Sequence, residues 1–235
     1  MLCRIADLLT VIPNAAGLLP RCREYLVESS DEPDIIISEE KFNFSRSNAV
    51  SRESVIYNES GFQFYYQLLL HDGLFLHSSA VMLDQRAYLF SGPSGVGKST
   101  HTRLWLDIFG DRAKIINDDK PALRRLDGKW YAFGTPWSGK NRIDINIKAS
   151  LGGICFLKQS DKNEIRRLDA REAIPRVISQ TSCYLRDPKM IDLMLGHVEK
   201  LIEEVPIYEL CNRPEPEAAQ LSYKTMREGA EEAGL

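Results

Sequence analysis

The chain of 235 residues has no apolar run near the roughly 18 residues that a bilayer-spanning helix needs. Its opening, Met-Leu-Cys-Arg-Ile-Ala-Asp, meets Asp7 too early for the apolar region of a secretory signal. The five cysteines, Cys3, Cys22, Cys155, Cys183 and Cys211, form neither a CxxC pair nor a Cys/His ligand spacing. That argues against a zinc module or a disulfide framework and predicts buried, reduced thiols. Neither sign of charge dominates: 30 Lys+Arg face 33 Asp+Glu, for a net charge of −3. A nucleic-acid footprint is therefore missing. Internal repeats and low-complexity tracts are also missing. These absences predict a cytoplasmic protein with no membrane or nucleic-acid partner.

What remains is ordinary globular material, 43% hydrophobic and 27% charged, which excludes disorder. Residues 1–58 read as a small N-terminal lead-in subdomain, with strands over 5–12 and 34–37, a helix over 18–26 and a polar irregular stretch over 38–52. Residues 59–235 read as the main domain. An aromatic-rich helix is expected over 53–70, with His71-Asp72-Gly73 as a glycine stop. A strand over 74–83, a turn, and a strand over 87–90 follow. Then come a glycine-rich loop, a helix from Ser99 to Gly110 and a short strand over 114–116. Asp127-Gly128 between two β-rich runs signals a hairpin, because both turn positions need positive φ. Strands over 153–158 and 164–168 precede a helix opened by a capping box at Asp169 and Glu172. A second helix opens at Asp187-Pro188 and runs to about Glu204. A strand over 205–211, a helix over 215–227 and a frayed tail from Gly229 complete the reading.

The strongest chemical signal is Gly92-Pro93-Ser94-Gly95-Val96-Gly97-Lys98-Ser99, which fits GxxxxGK[ST]. An apolar strand precedes it and a helix follows, as a phosphate loop requires. Glycines let successive amides turn inward, and the helix start adds its positive dipole end. The nucleotide-binding candidates are Gly92, Ser94, Gly95, Val96, Gly97, Lys98, Ser99 and Thr100. Lys98 would reach the β/γ-phosphates and Ser99 would coordinate Mg²⁺. No NKxD-type guanine motif and no LSGGQ-like signature accompanies the loop.

Asp118-Asp119 lies 26 residues after Gly92, at the end of the next strand. One carboxylate would help hold Mg²⁺, and the other would take a proton from an acceptor hydroxyl. His77, 15 residues before Gly92, is returned toward the phosphate end by a hairpin and would orient an Asp. Gly134 to Arg142 reads as a flexible loop, with Trp137, Lys140 and Arg142 as an acceptor or phosphate clamp. Arg103 reads as solvated, and Arg186 as a residue that would reach a phosphate from a neighbouring loop. The stripe of Phe62, Phe64, Tyr65, Tyr66 and residues 68–70 reads as core rather than as a partner or membrane face.

Together, His77, the loop Gly92-Pro-Ser-Gly-Val-Gly-Lys-Ser99 and Asn117-Asp118-Asp119 resemble the catalytic domain of HPr kinase/phosphorylase. That family shares a phosphate-loop superfamily with the ATP-type phosphoenolpyruvate carboxykinases. The chain is similar, in particular, to small HPr-kinase-like proteins that carry His-Ser/Ala-Ser-Ala-Val, Asn-Asp-Asp-Lys-Pro and Gly-Thr-Pro-Trp, seen here at 77–81, 117–121 and 134–137. The resemblance implies an α/β fold with a mixed, partly parallel sheet flanked by helices. It implies phosphoryl transfer from ATP, or from ADP or pyrophosphate, to a serine-type hydroxyl on a small molecule or peptide. Asp118 would be the acceptor base, supported by His77, and Asp119 would assist the metal. The second HPr kinase signature, rich in Glu-Ile-Arg-Gly, is replaced here by Gly134-Thr-Pro-Trp-Ser-Gly-Lys-Asn-Arg142, without its metal-assisting Glu. A regulatory nucleotide-binding module and a carboxykinase-like enzyme are the alternative readings. The acceptor's identity and assembly into a homo-oligomer stay open.

Overall fold

The structure, a computed structural model, describes residues 1–15, 17–46, 51–181 and 186–235. Two short apolar runs open the chain as antiparallel strands, β1 (Leu2–Ile5) and β2 (Leu8–Val11). They turn at Ala6 and Asp7, both with positive φ. The expected strand over 5–12 is thus a turn plus one arm of a hairpin. Alanine is a poor marker for a left-handed turn position, which hides the turn in the sequence. α1 (Leu19–Cys22) tightens into a 3₁₀ turn over Arg23–Tyr25. β3 (Ile35–Ile36) joins β2 in parallel and closes a three-stranded sheet, β1-β2-β3.

The exposed edge of β3 is covered by α2 (Arg52–Leu68). Gln67 accepts from the Ile36 amide at 3.3 Å and donates to its carbonyl at 3.0 Å. Gln63 makes the same pair of bonds with Ser38, both at 3.0 Å. Two side-chain amides thereby stand in for a missing strand and blunt the edge. Ser51 caps α2, accepting from the Ser54 amide. The left-handed stop after the helix is Asp72 (φ 52°), not the expected glycine. Gly73 is required for space, since a Cβ there would lie 2.8 Å from Leu68 Cδ1. Residue 58, placed between lead-in and main domain, falls inside α2. Ile56, Phe64 and Leu68 of that helix share one apolar cluster with Ile5, Leu18 and Tyr25 before it and Phe75, Phe133 and Trp137 after it.

The remaining elements are β4 (Gly73–Phe75), β5 (Ser78–Leu83), β6 (Arg86–Ser91), α3 (Lys98–Phe109), β7 (Ala113–Asn117), β8 (Ala122–Leu126), β9 (Lys129–Phe133), β10 (Lys148–Gln159), β11 (Glu164–Arg167), α4 (Ala170–Thr181), α5 (Pro188–Glu204), β12 (Ile207–Asn212) and α6 (Pro216–Glu232). They form a nine-stranded sheet in the order β4-β8-β9-β10-β6-β5-β7, with β12 also paired to β10 and β11 to β12. β6, β10 and β12 run parallel to one another, and the other pairings are antiparallel. This is the expected mixed, partly parallel α/β sheet flanked by helices. Alternation along β6 shows why both faces are covered. Ala87 and Leu89 enter the cluster under α4 and α5, while Tyr88 and Phe90 enter the cluster under α3 and α6.

Three boundaries differ from expectation. The run 74–83 breaks at Leu76-His77, because β4 pairs with β8 whereas β5 pairs with β6 and β7. β10 starts at Lys148, five residues early, where it serves β9 before β12. The tail from Gly229 is helical to Glu232, with Gly229 and Ala230 buried. The aromatic stripe of α2 is largely core, with Phe64, Tyr65, Leu68 and Leu69 buried and Leu70 exposed. Among the described residues, Cys3, Cys22, Cys155 and Cys211 are free, and Cys183 lies outside them. No helix among them is long and apolar enough to cross a membrane.

Candidate active site

Register brings the sequence-distant motifs together. β5 runs antiparallel to both β6 and β7, with Ser78 opposite Ser91 and Ala80 opposite Asn117. The start of β5 and the ends of β6 and β7 therefore meet at one edge of the sheet. Ligands of α/β sheets bind at such carboxyl-terminal edges. Two hydrogen bonds tie the edge: Ser91 Oγ donates to the His77 carbonyl at 2.8 Å, and the Ser78 amide donates to the Asp119 carbonyl at 3.1 Å.

The glycine-rich loop leaves β6 at Ser91 and enters α3 at Lys98. Gly92, Gly95 and Gly97 have φ of 139°, 82° and 109°, conformations open mainly to glycine. Gly92 is also pinned against β10, since a Cβ would lie 3.3 Å from the Leu157 carbonyl. Ser94 and Gly95 are exposed, Val96 to Ser99 are partly buried, and Thr100 and Arg103 are exposed. Lys98 Nζ lies over the loop, donating to the Gly92 carbonyl at 2.9 Å and the Pro93 carbonyl at 3.2 Å. Burial lowers the Lys98 ammonium from its usual range, and the charges of Asp119 and Asp118 partly oppose that. Both carboxylates are thus electrostatically coupled to the loop lysine.

α3 is anchored through His101, buried against the Phe90 ring with centroids 4.3 Å apart. Ser222 Oγ donates to the Ala219 carbonyl, so it accepts from both Trp105 Nε1 and His101 Nε2. That favours the Nε2–H tautomer, with Nδ1 unpartnered among the described residues. Burial pushes the imidazole down to about 3, so it is neutral at physiological pH. Its role is to join α3 to α6.

Asn117 shapes the acidic turn. It is fully buried, and its amide donates to Thr135 O at 3.0 Å and Thr135 Oγ1 at 3.1 Å. Its carbonyl accepts from the Asp119 amide at 3.0 Å and the Lys120 amide at 2.7 Å. This is an Asx turn, and it fixes the directions of the next two carboxylates. The Asp118 amide is held by the Ile143 carbonyl at 3.0 Å. Asp118 Oδ1 is buried and has no hydrogen-bond partner among the described residues. Asp119 is occupied on both oxygens: His77 Nε2 lies 3.3 Å from Oδ1, and Lys120 Nζ pairs with Oδ2. Burial would raise the Asp119 carboxyl, but the His77 hydrogen bond and Lys120 charge overcome this and hold it below the usual range. His77 is itself fixed by its amide, which donates to Gln180 O at 2.9 Å. Lys120 was not among the sequence candidates.

The segment from Gly134 to Arg142 departs from the expected flexible loop. Gly134 to Ser138 are buried, and only Gly139 to Arg142 reach the surface. Trp137 is 1% exposed, stacked on Phe64 at 4.8 Å, and its Nε1 donates to Ser60 Oγ. It is core and offers no surface to an acceptor. A Cβ on Gly61 would lie 2.8 Å from the Trp137 ring, so this glycine makes room for it. Lys140 and Arg142 are exposed, and neither has an acidic partner among the described residues. Arg186 is exposed, and residues 182–185 beside it lie outside the described set.

The donor set suits Mg²⁺. It consists of hard oxygens: Ser99 Oγ at the helix start and a carboxylate held anionic at Asp119. No group of three or more His, Cys, Asp or Glu forms a metal cage among the described residues. Mg²⁺ ordinarily takes one or two carboxylates plus substrate phosphates and waters, so a cage is not required.

No family model matches the chain, and no curated protein matches it. Among solved structures it is similar to the HPr(Ser) kinase/phosphatase from Coxiella burnetii, with a TM-score of 0.37 and 13% identity, covering 68% of this chain and 96% of that one. This is a distant structural relation.

Proposed function

We propose that the chain is a Mg²⁺-dependent phosphotransferase that moves a phosphoryl group from a nucleotide, ATP foremost, to a serine-type hydroxyl on a small molecule or peptide. The observation that carries this reading is Asp118 Oδ1. It is buried and unpartnered, at the sheet edge that also bears the phosphate loop. A buried carboxylate oxygen without a donor costs free energy on the order of 1–3 kcal/mol or more. A turn of the carboxylate toward an acceptor hydroxyl arriving at this edge would remove that cost.

The loop amides and the start of α3 bind the donor's phosphates. The Lys98 ammonium, on a flexible stem, exchanges its loop carbonyls for phosphate oxygens. Ser99 and Asp119 would hold Mg²⁺, which would supply charge neutralisation to the phosphates. The Asp118 carboxylate orients the acceptor hydroxyl and takes its proton as the new O–P bond forms and the bond to the leaving oxygen breaks. His77 and Lys120 keep Asp119 anionic throughout.

The test is mass spectrometry of the protein incubated with Mg²⁺, ATP, free serine and a panel of serine-containing peptides. A phosphorylated acceptor that disappears in Lys98→Ala is expected. Asp118→Asn should keep ATP binding and lose about 10²–10⁴-fold in rate. Intact ATP and unmodified acceptors in the presence of tight nucleotide binding would sink the proposal. A carboxykinase-like reaction would show itself by CO₂ release from oxaloacetate.

A further inference from the structure

Gly139 sits against the Asp119 carboxylate. A Cβ on it would lie 3.1 Å from Asp119 Cβ and 3.3 Å from Cγ, and its φ of +75° already excludes most side chains. Both backbone polar groups of Gly139 are held from outside the loop. Its amide donates to Tyr57 Oη at 2.9 Å, and its carbonyl accepts from Arg21 Nη1 at 3.2 Å. Those two side chains also hold each other, with the Arg21 guanidinium 4.4 Å from the centre of the Tyr57 ring. The same ring faces Lys120 Nζ at 5.7 Å, the cation paired with Asp119. Arg21 has no carboxylate partner among the described residues. Nearby, Tyr25 Oη donates to Asp144 Oδ2 at 2.8 Å, Ser138 Oγ donates to Asp144 Oδ1, and Asn146 donates to the Glu24 carbonyl at 3.1 Å. The loop from Gly134 to Asp144 is therefore clamped by residues 21–25 and by α2.

We infer that Arg21 and Tyr57 are positioning residues: they latch Gly139 against Asp119, so the N-terminal segment sets the wall beside the acidic turn that carries the acceptor base Asp118. This rests on the phosphotransfer reading and deepens it. The glycine-rich loop is one contiguous segment, whereas the wall beside the acidic turn is completed by residues 82 and 118 positions away from Gly139 in the chain. A cation stacked on an aromatic ring holds its guanidinium in one plane, which suits a fixed bond to a carbonyl. Once latched, the loop leaves Asp119 little room to turn away from His77 and Lys120.

Two readouts on the full-length protein test the latch. Amide hydrogen exchange over residues 134–142 reads the contact without turnover, and Tyr57→Phe should speed exchange at Gly139. Steady-state kinetics with the best acceptor from the serine and peptide panel read the function. Tyr57→Phe and Arg21→Gln should each lower kcat/KM for the acceptor about tenfold or more, with the KM for ATP within twofold. Arg21→Lys, which keeps a cation on the ring and one donor for the carbonyl, should recover most of that loss. Unchanged exchange at Gly139 in Tyr57→Phe would overturn the latch. So would faster exchange with unaltered acceptor kinetics, or a parallel rise in both KM values. Failure of the phosphotransfer reading itself would appear in the wild-type protein, as absent transfer, before any variant is compared.

Discussion

Alanine at Gly134 is expected to destabilise the protein by about 3 kcal/mol. The Cβ it adds would lie 1.8 Å from the Ile145 carbonyl oxygen, 2.8 Å from its carbon and 3.1 Å from the Ile116 oxygen. All three are backbone atoms, so no side-chain rotation relieves the clash. To reach ordinary contact the Ile145 carbonyl must retreat by about 1.6 Å. That motion pulls on three backbone hydrogen bonds: the one the carbonyl itself accepts, from Ile147 N at 2.9 Å, and its neighbours Ile145 N to Ile116 O at 3.1 Å and Asp118 N to Ile143 O at 3.0 Å. At roughly 1 kcal/mol net each, their loss accounts for the predicted change. The assay is urea unfolding, reading the midpoint at constant slope. Gly196→Ala is the opposite-sign control: it lies inside α5 with nothing within 4 Å of its notional Cβ. That change should gain up to about 1 kcal/mol, as alanine does over glycine in a helix interior. A Gly134→Ala protein within about 0.5 kcal/mol of wild type would refute the close approach, because that is the scatter of neutral surface changes. On the phosphotransfer reading, transfer should also fall in conditions where the variant remains folded, since the Asp118 amide belongs to the strained set.

Trp137→Ala should cost about 3–5 kcal/mol by removing a buried ring stacked on Phe64. Differential scanning calorimetry would show it as a large drop in Tm, and a surface clamp residue would show almost none. At low pH, Glu209 should matter for stability. Burial alone would raise its carboxyl, but Arg176 and Arg166 overcome this and hold it below the usual carboxylate range. A depressed carboxylate contributes stability that is fully present above its unfolded pKa and is lost as pH falls through the lower folded value. Urea midpoints measured from about pH 6 to pH 3 should therefore fall more steeply in wild type than in Glu209→Gln. Parallel curves would show that the ion pairs contribute nothing.

The glycine-rich loop was readable because its geometry is local. A β-rich run, eight residues and a helix start encode the loop, and the three glycines that carry positive φ are those of the motif. The hairpin at Asp127-Gly128 was readable for the same reason, with φ of 48° and 79° at its centre. The turn at Ala6-Asp7 and the helix stop at Asp72 were not, because non-glycine residues occupy the left-handed positions there. Trp137 was misread for a different reason. Its neighbours Gly134, Pro136, Ser138 and Gly139 have loop composition, but Gly61 on α2 opens the slot that buries it. The break at Leu76-His77 depends on which strands pair on either side, and one apolar run carries no record of that. Asn117 did carry a usable signal, since Asn at the end of a strand before two acids is an Asx-turn pattern.

Arg21 and Tyr57 left no pattern at all, and the reason bears on how the site works. A phosphate is the same in every nucleotide, so its cradle can be a fixed local motif of amides, one lysine and one hydroxyl. An acceptor differs from one enzyme to the next, and its pocket must be assembled from whatever the tertiary fold brings near the base. Here the fold brings a stacked Arg–Tyr pair from the first 60 residues onto a single glycine beside Asp119. On the phosphotransfer reading, the phosphate cradle and the residues that set the acidic turn then lie on different parts of the chain. Changes in the loop from Gly92 to Ser99 should abolish transfer to every acceptor alike. Changes at Arg21, Tyr57 or Gly139 should instead reorder the acceptors while ATP binding holds. A panel of acceptors ranked by kcat/KM in Tyr57→Phe separates these cases: a uniform scaling of all acceptors would mean that the N-terminal segment only stiffens the sheet edge, and a changed ranking would mean that it selects the substrate.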